Sequence, residues 1–173
     1  MPDLFNCEFG ELIHTIPAAA PVDSHTSGVT GLWVSMKEYQ AVRVVVNYAA
    51  GTASDEVAIT VNQATSSTGA GSKACSCITR VRKMIGATAI GQSHAGVDTV
   101  VTQAAASTYT PSGESADQAI YMFEVRAEQL DVANNFDYMQ VTVGTPANAR
   151  LCAVSYDCFR PHHPQTVPVS PLS

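Results

Sequence analysis

The feature that most narrows what this chain can fold into is a side-chain period of two. Tyr121, Phe123 and Val125 alternate with Met122, Glu124 and Arg126, and further on Met139, Val141 and Val143 alternate with Tyr138, Gln140 and Thr142. That period belongs to β-strands with one buried and one wetter face. The connection from Ala127 to Asn135 carries Glu128, Asp131, Asn134 and Asn135, too polar and short for a core helix. The two runs are therefore expected to pair at the centre of an antiparallel β-sandwich.

The same pattern recurs along the chain. Val42, Val44, Val46 and Tyr48 alternate with Arg43, Val45 and Asn47, and their β-branched side chains suit a pleated surface. After the turn cluster Ala50–Asp55, Val57, Ile59 and Val61 face one way, so these two runs are expected to form a hairpin. Strands are also expected from Gly31 through Met36, from Ala74 to about Lys83, from Val97 to Gln103, and from Arg150 to about Cys158. Gly69 and Gly71 mark a loop tip between Ala64 and Lys73, and Pro111 and Gly113 mark another before Tyr121. About eight short strands at intervals near ten residues predict an all-β antiparallel β-sandwich, jelly-roll-like.

At 173 residues one domain is expected, large enough to bury roughly 70% of its unfolded surface. Three parts are distinguished: an extended N-terminal arm over 1–30, the sandwich over 31–160 and a Pro-rich tail over 161–173. The arm holds Asp3, Glu8, Glu11 and Asp23 and no Lys or Arg, and the PAAAP run Pro17–Pro21 is expected to interrupt any regular element. The tail has no charged side chain and too little apolar area to order itself. Both ends are expected to become ordered on neighbouring molecules of an assembly.

Only 14% of residues are charged, and the net charge is −6. A surface this poor in charge suits coverage by another protein, and net acidity argues against duplex nucleic acid, whose binding rests on Lys and Arg. Arg80, Arg82 and Lys83 form the only basic cluster, and on a strand Arg80 and Arg82 share a face, read as a solvated edge. Met1–Phe9 has no basic start followed by an apolar run, and no stretch approaches the ~20 apolar residues of a membrane helix. Synthesis in the host cytoplasm and no membrane partner are therefore expected. Cys7, Cys75, Cys77, Cys152 and Cys158 are an odd number in a reducing compartment and are read as free thiols acting as small apolar residues.

Each candidate for chemistry has a simpler role. Four of the cysteines lack the turn-borne spacing of a structural zinc site. His162 and His163, near Cys158 and Asp157, lack a third fixed ligand, while His14, His25 and His94 fall in arm or loop. Asp23, Ser24 and His25 are adjacent on an extended chain and point apart, which does not make a triad. Glu124 and Asp137 could flank a sugar, but Arg126 beside Glu124 predicts a surface salt bridge instead. The run STGAGSK lacks the spacing and the helix of a phosphate loop. No catalytic residue, metal site or cofactor is assigned. A carbohydrate platform would draw on Trp33, Tyr109 and Tyr121, of which Trp33 and Tyr121 are read as core.

The run Arg43–Ala74, followed by YMFEVRAEQLDVANNFDYMQVTV and RLCAVSYDC, resembles a set of small virion proteins of tailed bacteriophages. The matching features are an AGTA turn, a strand ending in QAT, a glycine loop closing on Lys73, and the acidic turn Glu128, Leu130 and Asp131. The resemblance spans roughly 32–158 and implies a virion component. Within that class the expectation is a capsid decoration (cement) protein on the outer head surface, bridging subunits of the major capsid protein as a homotrimer. A head-tail connector or tail-tube subunit is the first alternative, and a carbohydrate-binding module at the virion surface is the second.

Overall fold

Val42, Val44, Val46 and Tyr48 are each no more than 1% exposed, whereas Arg43 and Asn47 between them lie in solvent. Burying such side chains contributes about 1.5–3 kcal/mol each, so the alternation fixes which face of the strand turns inward. In the computed structural model, residues 13–86, 97–113, 115–161 and 172 are described. Twelve strands follow in order: β1 (Ile13–Asp23), β2 (Val29–Thr30), β3 (Val34–Ser35), β4 (Tyr39–Tyr48), β5 (Ile59–Ala64), β6 (Lys73–Ala74), β7 (Ile78–Ile85), β8 (Val97–Ala106), β9 (Thr108–Tyr109), β10 (Ala119–Arg126), β11 (Tyr138–Val143) and β12 (Leu151–Pro161).

They form two wholly antiparallel sheets. One has the order β1-β12-β4-β10-β7-β8; the other has β2-β11-β5-β6, with β3 beside β11 and β9 beside β5. Connections cross repeatedly from one sheet to the other, and β7–β8 is a hairpin that widens the first sheet. Strands β1-β12-β4-β10 facing β2/β3-β11-β5-β6 is the double Greek-key wrapping of a jelly roll. The core lies between the layers and includes Ile16, Val44, Ile59, Val81, Tyr121, Phe123, Met139, Val141, Val154 and Tyr156.

This wrapping corrects both expected hairpins. β10 and β11 do not pair: β10 lies between β4 and β7, while β11 lies between β5 and β2/β3, so the connection with its two 3-10 turns bridges the sandwich. β4 and β5 likewise lie in opposite sheets. Ala74–Lys83 is not one strand either, because Cys75–Cys77 forms the crossing between β6 and β7.

Within the span read as arm, Ile13–Asp23 is an edge strand hydrogen-bonded along β12 of the same chain. The PAAAP run does not interrupt it. Pro17 and Pro21 lack an N–H, which an edge strand tolerates, and the pairing absorbs them through irregularities between Pro17 and Ala19 and between Ala19 and Val22. Of the expected strand from Gly31 to Met36 only Val34–Ser35 is strand: β2 ends at Thr30, Gly31–Trp33 leave a gap before β3, and the gap is filled from the opposite sheet. The backbone N–H of Val141 donates to the Tyr156 hydroxyl at 2.8 Å. A Cβ on Gly31 would stand 2.5 Å from that oxygen, which leaves no room for any other residue.

Candidate functional site

The outward face of the β1-β12-β4-β10-β7-β8 sheet carries a cluster of charged side chains. Because register is continuous across strands, residues from distant parts of the sequence line up in rows. Thr15, Asp157, Arg43 and Glu124 sit side by side on β1, β12, β4 and β10. The next row on this face runs Pro17, Ser155, Val45, Met122, Arg82 and Val100 across all six strands. Arg80 lies two residues before Arg82 on β7, opposite Thr102 of β8.

Together these rows shape a groove of about 800 Å³, whose polar lining includes Arg43, Arg80, Arg82, Arg126, Glu124 and Asp157. Four guanidinium groups meet two carboxylates there, in a chain whose net charge is −6. Arg43 donates to Asp157 Oδ2 from Nε and Nη2 at 2.9 and 2.6 Å, while Thr15 Oγ1 donates to Oδ1 at 2.7 Å. Arg126 reaches Glu124 at 3.1 Å and Glu128 at 3.5 Å, and these carboxylates hold its pKa above the ordinary value. Arg80 makes no ion pair among the described residues, whereas Arg82, exposed beside it, is already engaged in an interaction. The shared face of Arg80 and Arg82 was legible from strand spacing. The groove was not, because Arg43 and Arg126 join them only through sheet pairing.

The remaining candidates separate. Glu124 and Asp137 do not meet: Glu124 pairs with Arg126 in one sheet, and Asp137 contacts Lys37 at 3.6 Å at the start of β11 in the other. Asp23, Ser24 and His25 serve three different loop contacts. Asp23 Oδ1 accepts the backbone N–H groups of His25 and Arg150, both at 3.0 Å, Ser24 Oγ donates to Arg150 O at 2.8 Å, and His25 Nδ1 lies 3.0 Å from Pro146 O. Cys75, Cys77, Cys152 and Cys158 are free and at most 1% exposed. Burial pushes the Cys152 and Cys158 thiols up to about 12. Among the described residues no group of three potential metal ligands converges. His14 sits half-buried opposite Cys158, while Cys7, His94, His162 and His163 fall outside the described residues.

Of the three aromatic residues considered for a sugar platform, Tyr109 and Tyr121 are 6% and 1% exposed and pack against each other. Trp33 is only partly buried rather than core, and its ring lies over Gly69, where a Cβ would come within 2.6 Å of Nε1. The glycine loop is a tight turn with Gly69 and Gly71 at φ +81 and +63, and no helix follows it. Lys73 at its end pairs with Asp131 and lies 4.0 Å from the Phe136 ring centroid, so two residues that carry the sequence resemblance tie one loop to another.

A second polar cluster locks the opposite loops. Asp55 accepts the N–H groups of Ala147 and Asn148 at 2.6 and 2.8 Å, chiefly the first of which lowers its pKa. Arg150, 4% exposed, donates to the carbonyls of Ala49 and Asp117 and stacks over the Tyr48 ring at 4.3 Å. All of its partners belong to the chain's own frame, so this cluster ties loops together.

No protein-family model and no curated protein matches the chain. Among solved structures it is similar to a chain in the structure of infectious bursal disease virus Gt strain, at 11% identity and a TM-score of 0.21, over 86% of this chain and 42% of that one. A second similarity is to a chain of the crystal structure of an infectious bursal disease virus particle, at 12% identity and a TM-score of 0.22, over 86% and 39%. The chain spans less than half the length of either.

Proposed function

We propose that this chain is a structural component of a virion, and specifically a decoration protein that binds the outer surface of a bacteriophage head and braces the joints between major capsid protein subunits. The observation that carries this reading is the jelly-roll strand order, an architecture that capsid proteins use, in a chain whose Arg43–Ala74 and Tyr121–Val143 runs resemble tailed-phage virion proteins. The polar clusters at the loops are consumed in holding the frame, which supports a role in assembly and a chain that is not an enzyme. Buried Tyr109 and Tyr121 speak against a sugar platform. An acidic, sparsely charged body fits the outside of a head, away from DNA. Repeated modest contacts on a lattice add up through effective concentration, so a small subunit can brace a large shell. Closed threefold association at lattice axes is the corresponding oligomer.

The test is to add purified protein to undecorated, expanded capsids and locate it by electron microscopy. Density at repeated sites on the head lattice is expected, together with greater resistance of the heads to heat. A single ring at the portal would replace this reading with a connector, and no binding to heads or tails would overturn it.

A further inference from the structure

The two outward faces of the sandwich differ in kind. Strands β2, β3, β5, β9 and β11 together contain no Asp, Glu, Lys or Arg, whereas the other sheet turns Arg43, Arg80, Glu124 and Asp157 outward. Alternation in β11 puts Met139, Val141 and Val143 in the core and leaves Gln140 and Thr142 outside; in β5 Ile59 and Val61 point inward and Thr60 and Asn62 outward. Register then lines up Thr30, Thr142, Thr60 and Thr108 in one row across β2, β11, β5 and β9, with Gln140 beside Asn62 in the next. These side chains are tethered to the face: the Thr60 and Thr108 hydroxyls lie 3.3 Å apart, and Gln140 Nε2 donates to Gly31 O at 2.8 Å. Lys37 and Asp137, paired at 3.6 Å, stand at the end where β11 begins.

We propose that this uncharged, threonine-rich face is the surface by which the chain seats on the shell, against a part of the major capsid protein that is itself poor in charge. This rests on the decoration role proposed above and assigns its contact face. Desolvation decides the side. A charge buried at a joint must find a partner or lose its hydration, so interface cores are depleted of charged residues, and side chains already tethered lose little further freedom on docking. Size decides the occupant. The face is four strands wide in the order β2-β11-β5-β6, and its two long strands have six residues each. At the usual strand spacing and rise it covers roughly 400 Å², about half of what one partner gives to a standard specific interface. One such contact is too small to hold two copies together in solution, whereas the same contact made by every subunit of a threefold unit on a shell gains through effective concentration.

Single charges of either sign, placed on this face in the full-length chain, test it. Thr142→Arg and Thr142→Glu are titrated onto undecorated, expanded capsids beside the wild type and Arg80→Glu, a charge reversal at an exposed site on the other sheet. Thermal melts check folding, and Thr30→Arg, at an exposed site on β2, gives the same reading if the Thr142 variants melt early. Both Thr142 variants should bind heads about tenfold or more weakly, because an unpaired charge resists burial whatever its sign, and Arg80→Glu should bind as the wild type does. Face variants that bind like wild type overturn the proposal and leave the decoration role standing, and so does binding lost in Arg80→Glu alone. A wild-type dimer in sedimentation velocity that Thr142→Arg dissolves would make a second copy the occupant and overturns it as well. Failure of the wild type itself to bind heads is the separate outcome that removes the decoration role and this contact with it.

Discussion

Replacing Tyr156 with Phe removes a hydrogen bond that joins the two sheets through a backbone gap. The Val141 N–H faces the interruption between β2 and β3, where no strand can receive it, and the Tyr156 hydroxyl takes it at 2.8 Å in a site 0% exposed at both residues. Phe keeps the ring and its packing but leaves that N–H buried without a partner, which costs about 1–3 kcal/mol. With a central value of about 2 kcal/mol, a domain of this size should lose roughly 4–8 °C in Tm. Gly31 supplies the control. A Cβ there would lie 2.5 Å from the Tyr156 oxygen and 3.0 Å from Val141 O, so Gly31→Ala should destabilise the wild type strongly. With the hydroxyl gone, the worse of the two clashes disappears, and Gly31→Ala should cost about 1 kcal/mol less in the Phe background than in the wild type. Thermal and urea melts of the four proteins give the cycle. Tyr156→Phe melting within about 1 °C of wild type, or strictly additive costs, would refute the view that the hydroxyl stands in for a missing strand.

Two further outcomes follow from buried groups. Asp55 has its pKa lowered from the ordinary 3.8, first by the Ala147 N–H; its contribution is therefore full above 3.8 and is lost as pH falls through the lower folded value. Asp55→Asn should leave a shallower acid limb in stability measured from pH 6 to 2, and an unchanged limb would show that the loop contacts do not depend on its charge. With the Cys152 and Cys158 thiols pushed up to about 12 and all four described cysteines buried, thiol labelling mapped by mass spectrometry should be slow at Cys75, Cys77, Cys152 and Cys158 until denaturant is added. Rapid native labelling at any of them would mean that its site opens without global unfolding.

Facing is legible in the amino-acid order alone, because a period of two is local: the inward positions of β4, β5, β10, β11 and β12 can be read directly from valines, tyrosines and cysteines. Pairing is not. Tyr121–Arg126 and Tyr138–Val143 look like a hairpin in sequence, yet the connection between them crosses the sandwich, and neither run encodes which backbone edge it will meet. The prolines of β1 mislead for a related reason, since a missing N–H matters on a central strand and not on the outer edge of a sheet. The candidate site divides the same way. Arg80 and Arg82 can be placed on one face from spacing alone, but their approach to Arg43 and Arg126 comes from hydrogen-bonded register across β4, β10 and β7. Sequence by itself determined an alternating, charge-poor β chain with an acidic lead-in and inert buried thiols. Only the tertiary structure decided which sheet each strand joins and where the positive charges collect, because backbone pairing between distant segments is set by the packing of the whole and leaves no mark on any one of them.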